Sequence, residues 1–167
     1  MKRFPLALAL AFSAAVHSAA FADIQAGDPF PKLGPPALRA ALATPGQVVL
    51  VDFWASWCAP CKESFHSYAD LHRAFSARGV SIVAVGVDDD SAAAASFLKK
   101  LNPPFTVAAD AGHELVRAVK VPTMPTCYLI DRRGIVRYVH AGYHGEATDR
   151  AIRGEIEALL AEPPTHL

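Results

Sequence analysis

The chain has 167 residues, 52% of them hydrophobic, with 16 Lys and Arg balanced by 16 Asp and Glu. That balance leaves no electrostatic footprint for nucleic acid, and the length suits one core rather than two. Three cysteines are too few, and odd in number, for a disulfide-stapled scaffold.

Taken in order, Lys2 and Arg3 precede an apolar stretch over 4–16 that ends at Ala20-Phe21-Ala22, a small-x-small cleavage site. Residues 1–22 are expected to form a secretory signal peptide cleaved after Ala22. The stretch is shorter than the roughly 20 residues that span a bilayer, and His17 interrupts it, so no transmembrane segment is expected in the mature chain. Residues 23–46 are rich in Pro and Gly and form an N-terminal lead-in with one helix-compatible run over 37–43. Residues 48–54 are continuously apolar and β-branched except at Asp52, the pattern of a strand buried on both faces. Over 60–78 the positions Cys61, Phe65, Tyr68, Leu71 and Phe75 recur at helical spacing, and Gly79 stops the run.

A second apolar run over 80–87 implies a right-handed parallel crossover and a central sheet. The run Asp88-Asp89-Asp90 reads as a solvated loop. A helix capped by Ser91 is predicted over 91–101, a short strand over 105–108 and another helix over 112–120. Two strands, 127–130 and 135–141, make a hairpin across Asp131 to Gly134. A last helix carries Ile152, Ile156, Leu159 and Leu160 on one face and ends at Pro163-Pro164. The domain plan is a signal peptide at 1–22, the lead-in at 23–46, one domain over 47–161 and a tail at 162–167.

The chemistry concentrates at Cys58-Ala59-Pro60-Cys61. A C-x-x-C pair is either half of a zinc site or a redox centre. Zinc needs a second ligand pair, and none of Cys127, His66, His72, His113, His140, His144 and His166 makes one at finger spacing. The redox reading places Cys58 at a helix N-terminus, where orphan N–H groups and the dipole favour the attacking thiolate. Cys61, one turn in, resolves the mixed disulfide. Pro60 falls in the first turn, where its missing N–H costs nothing, and stiffens the loop. Asp52, six residues before Cys58, is expected to be desolvated with a raised pKa; it is either the proton acceptor for Cys61 or an inert strand-end carboxyl. Trp57 is expected to shield the sulfur and offer an apolar contact to substrates, with Trp54 in the core. Cys127 reads as a buried small hydrophobe rather than a third redox partner, and Lys62 as solvated.

The segment 49–62, Val-Leu-Val-Asp-Phe-Trp-Ala-Ser-Trp-Cys-Ala-Pro-Cys-Lys, resembles the active-site segment of the thioredoxin superfamily, and Met124-Pro125-Thr126 resembles its cis-proline strand. With the leader and the long segment between Val87 and Pro125, the chain is most similar to the exported TlpA/ResA-type branch. The resemblance implies an α/β thioredoxin-like fold: a central mixed sheet, helices on both faces, and an extra helix and strand before the cis-Pro strand. It implies that Cys58 is the nucleophile and Cys61 the resolving thiol, and it favours Asp52 as the proton acceptor. It places the cis bond at Pro125 rather than Pro122, with the Met124 backbone pairing to substrate.

The function so implied is periplasmic reduction of disulfides in exported client proteins, with cytochrome c maturation as one pathway. Electrons would come from a membrane thiol-disulfide reductase, with no cofactor or metal. The alternatives are a thiol peroxidase, whose Pro-x-x-x-Thr-x-x-Cys pattern is absent before Cys58, and a copper-handling protein, whose C-x-x-x-C spacing is one longer. The chain departs from the branch where an acid and a proline follow the dithiol; Ser64 and His66 stand there.

Overall fold

The computed structural model describes residues 23–163, so the expected signal peptide at 1–22 and the last four residues of the tail lie outside the described residues. Eleven elements follow in order: α1 (Pro36–Ala43), β1 (Val48–Trp54), α2 (Ala59–Phe75) with a 3-10 turn at Ser76–Arg78, β2 (Val80–Gly86), α3 (Ser91–Leu101), β3 (Thr106–Ala109), α4 (Glu114–Val119), β4 (Thr126–Ile130), β5 (Val136–Ala141) and α5 (Glu146–Ala161). The five strands form one mixed sheet in the order β3-β2-β1-β4-β5. β1 pairs parallel with β2 and antiparallel with β4. This is the thioredoxin-like arrangement expected from the motifs, with α3 and β3 as the extra helix and strand.

β1 is central because every residue of it can be buried. Val49, Val51 and Phe53 point to a core closed by α1 and α4, through Leu38, Leu115 and Val119. Val48, Leu50 and Trp54 point to the other core, closed by α2 and α5 through Phe65, Tyr68, Leu71, Ile152 and Ile156. Burying both faces removes several large side chains from water, each worth about 1.5–3 kcal/mol, which makes this strand the anchor of the molecule. Asp52 shares the parity of Leu50 and Trp54 and so faces α2.

Gly79 closes the α2 segment with φ +90°, a left-handed geometry that favours glycine. At the end of β2, a Cβ on Gly86 would lie 3.1 Å from the Trp54 indole, so glycine lets the ring lie flat against the strand. Trp54 stacks on Phe97 of α3 at 4.9 Å and meets Phe65 of α2 edge-on at 5.2 Å. That aromatic group fastens α3 beside the first turn of α2. The lead-in is tied to the hairpin: Gly27 and Phe30 donate to the carbonyls of Val136 and Gly134, at 2.8 and 2.9 Å, and Phe30 is buried.

Two local expectations change. α3 is capped by Asp90, not Ser91: the Asp90 carboxylate accepts the N–H groups of Ala92 and Ala93 at 2.9 and 3.1 Å. The carboxylate satisfies orphan donors and complements the dipole better than a hydroxyl one residue later. Asp88 is not a solvated loop residue either. It is half-buried, and its carboxylate accepts the Ser56 N–H at 2.9 Å and the Ser56 hydroxyl at 2.5 Å.

Candidate active site

The sheet and α2 meet at the dithiol. Cys58 is the N-cap of α2, with extended backbone, and its Sγ accepts the Cys61 N–H at 3.2 Å. Its own N–H donates to Ala55 O at 3.1 Å, which fixes the turn out of β1. Pro60 sits in the first turn and demands no partner for a missing N–H. Cys58 and Cys61 are joined as a disulfide. Cys58 is 5% exposed and Cys61 fully buried, so an incoming sulfur meets Cys58 first. Trp57 is 71% exposed beside it.

The cis bond expected at Pro125 is present between Met124 and Pro125. Thr126 is in register with Phe53, so Met124 and Pro125 stand at the end of β1 that leads into the dithiol. Pro125 O accepts the Gly142 N–H at 2.8 Å. Met124 is half-buried against both cores. The structure thus brings Trp57, Cys58, Pro60, Cys61, Met124 and Pro125 to one end of the sheet.

Asp52 lies in β1 on the face turned toward α2. It is buried, and Tyr68 of α2 donates its hydroxyl to Asp52 Oδ1 at 3.1 Å, while Oδ2 has no partner. Burial pushes the Asp52 carboxyl well above the usual range, and the Tyr68 hydrogen bond offsets only part of this. Cys127, opposite Asp52 on β4, is a free buried thiol near the same hydroxyl; burial, then the neighbouring carboxyl, push it upward too. A thiol so hard to ionise is a poor nucleophile, which fits Cys127 as a small core residue.

Tyr68 is the residue that sequence reasoning misses as a site group. It carries the helical periodicity of a core position and falls seven residues, two turns, beyond Cys61 on the same face. A phenol among positions otherwise filled by Phe and Leu is the only signal, since a buried hydroxyl needs a partner. Tyr68→Phe is expected to raise the Asp52 pKa further, read as an upward displacement of the carboxyl's carbon-13 titration. An unmoved titration would remove Tyr68 from the site.

Ser64 is buried and donates to Cys61 O at 3.0 Å, and α2 runs unbroken through His66. Lys62 is exposed in the first turn, beside a groove of about 490 Å³ that opens at Cys58. Trp57, Ala59 and Lys62 form one wall of this groove and α3 the other. Among the described residues, no group of three or more His, Cys, Asp or Glu side chains is placed to hold a metal ion, and no helix is long and apolar enough to cross a membrane.

The geometry has known counterparts. The Redoxin family model matches residues 25–155. Thiol-disulfide oxidoreductase ResA of Bacillus subtilis (strain 168) is 36% identical over 97 residues, 58% of this chain and 54% of that protein. ResA of Bacillus cereus (strain ZK / E33L) is 30% identical over 115 residues, 68% of this chain and 64% of that protein. The chain thus spans about half to two thirds of the length of these relatives. Among solved structures, a thiol:disulfide interchange protein DsbE from Chlorobium tepidum superposes with a TM-score of 0.76 at 34% identity, covering 83% of this chain and 100% of that one. A secreted disulfide oxidoreductase of Mycobacterium tuberculosis, at 24% identity, shares the fold with a TM-score of 0.62 over 72% of this chain and 87% of that one.

Proposed function

Since the chain belongs to the Redoxin family, we propose that it is a thiol:disulfide oxidoreductase that reduces disulfides of exported proteins through Cys58 and Cys61. The observation that carries the reading is the Cys58–Cys61 disulfide at the N-terminus of α2, with only Cys58 reachable from solvent.

The reaction begins with the reduced pair. The Cys58 thiolate, favoured by the helix end, attacks one sulfur of the client disulfide. The client S–S bond breaks, its electron pair goes to the departing sulfur, and that sulfur takes a proton. Cys61 then gives its proton to Asp52 and attacks Sγ of Cys58. The mixed disulfide breaks, the second client sulfur leaves as a thiolate and takes a proton from water, Asp52 releases the proton it received, and the Cys58–Cys61 disulfide forms. Two electrons and two protons have passed to the client. A buried carboxyl with a raised pKa suits the transfer, because it holds an accepted proton more firmly than an exposed carboxylate would.

Re-reduction needs a dithiol donor, which we assign to a membrane thiol-disulfide reductase in an extracytoplasmic, periplasmic setting. Cytochrome c maturation is a pathway of the right chemistry, because haem attachment requires reduced client thiols. The named relatives are thiol-disulfide proteins, and one is secreted, which supports the thiol–disulfide chemistry and an extracytoplasmic place. Trp57, Pro60, Met124 and Pro125 shape the client's seat.

The test is the reduction potential of the Cys58–Cys61 couple, measured against glutathione and dithiothreitol, together with insulin-disulfide reduction. The expected couple is reducing, nearer thioredoxin's roughly −270 mV than the roughly −120 mV of a strong oxidase. A potential at the oxidase end, with no insulin reduction, would overturn the assignment.

A further inference from the structure

α3 has no fully buried residue, yet it is held against the site by the Trp54–Phe97 stack. Its positions 93, 96, 97, 100 and 101 line the groove beside Cys58, the i, i+3, i+4, i+7, i+8 stripe of one helix face. Phe97 and Leu101 of this stripe also pack against the core, while its open side borders the groove that runs to the nucleophilic sulfur. The floor is apolar, from Ala59, Ala93, Phe97 and Leu101.

The charges in the groove have one sign. Lys62 enters from α2 and Lys100 from α3; no Asp or Glu lines it, and neither lysine forms an ion pair among the described residues. Lys100 lies in the last turn of α3, where a cation complements the helix dipole, but Lys99 meets that need without facing the groove. Asp88 is hydrogen-bonded to Ser56 and lines a separate cavity on the other side of α3. A client sulfur bonded to Cys58 can lay the residues on one side of it along this wall.

We infer that the groove between α2 and α3 is the seat of the client segment flanking the target cysteine, and that Lys62 and Lys100 select segments bearing a carboxylate there. This rests on the reductase reading of the dithiol. The apolar floor contributes affinity that is indifferent to charge, while the two ammonium groups supply discrimination and faster encounter. Substrate choice thus resides in side chains of α2 and α3 that border the dithiol, outside the two cysteines themselves.

The test compares disulfide-bridged peptides identical except for Glu, Gln or Lys beside the cysteines, with hydroxyethyl disulfide as an uncharged small substrate. The reduced protein is expected to prefer the Glu peptide to the Lys peptide by about fivefold in kcat/KM at low salt, the scale of two exposed charge contacts, with the preference vanishing at high salt. The Lys62→Glu/Lys100→Glu variant should invert the order. Any change in Cys58 reactivity acts alike on all three peptides and cancels in their ratio. Equal rates for the three peptides, with hydroxyethyl disulfide reduced, would overturn the groove assignment and leave the reductase reading standing. An order that survives charge reversal would overturn it too. Failure to reduce any of the four substrates would remove both readings.

Discussion

Replacing Cys61 with Ser is expected to leave a protein that attacks a client disulfide once and stops. Cys58 retains its position at the helix N-terminus and its access to solvent, so the first exchange proceeds. The hydroxyl at 61 cannot displace a sulfur, because its oxygen is not ionised near neutral pH and would form no stable S–O bond. Turnover should fall by at least about a thousandfold, and removing both cysteines should cost little more, since the pair acts as one unit. The mixed disulfide should accumulate in stoichiometric amount, visible by mass spectrometry and reversed by dithiothreitol. Cys58→Ser should give no such adduct. Sustained turnover by Cys61→Ser would mean that a single thiol does the work, the behaviour of a peroxidase.

The second large effect is on Asp52, and it has opposite signs for stability and activity. Its folded-state pKa lies well above the ordinary value, because burial penalises the carboxylate. Between its unfolded and folded pKa values, the folded protein therefore holds a proton that the unfolded chain releases. Below the unfolded Asp pKa, near 4, both states are protonated and the group imposes no ionisation penalty. As pH rises from there, stability falls by about 1.4 kcal/mol per pH unit until Asp52 ionises in the folded state, and then levels off. Asp52→Asn should abolish that descent. The Asn oxygen still accepts from Tyr68, and its NH2 takes the place of an oxygen that already lacked a partner, so little else changes. Urea unfolding across pH should show the variant gaining on the native protein as pH rises. Activity should move the other way, with the Cys61 step slowed about a hundredfold for want of a proton acceptor. A variant with native turnover would make Asp52 an inert core carboxyl.

Much of this was readable in the chain. The continuous apolar run over 48–54 can only be a strand covered twice, and it is the sheet's centre. The dithiol's place at a strand-to-helix passage followed from the change of period at Pro60. Asp52 stood out as the one acid in that run. Its partner did not, because the Tyr68 bond depends on which face of β1 packs against α2, and Cys127 joins them only through the β1–β4 register. Asp88 misled for a related reason. A run of three acids resembles a solvated loop, yet the first of them stands two residues past β2 at the site end of the sheet and accepts from Ser56, 32 residues away in sequence. Its position directly after a buried strand was the usable sign, since polar residues at the carboxyl ends of strands in such sheets tend to serve a site.

The hydrogen bonds from Ser56 to Asp88 join the loop before Cys58 to the chain that opens α3. The core engages α3 through Ala94, Phe97, Leu98 and Leu101 and leaves its other positions free. Residues such as Ala93, Ser96 and Lys100 can therefore be exchanged at small cost to the fold, since surface changes usually stay within about 0.5 kcal/mol. If the groove selects clients as proposed, their choice is a separately heritable trait: lineages can diverge in the disulfides they act on while the dithiol, Asp52 and the cis-proline strand stay fixed.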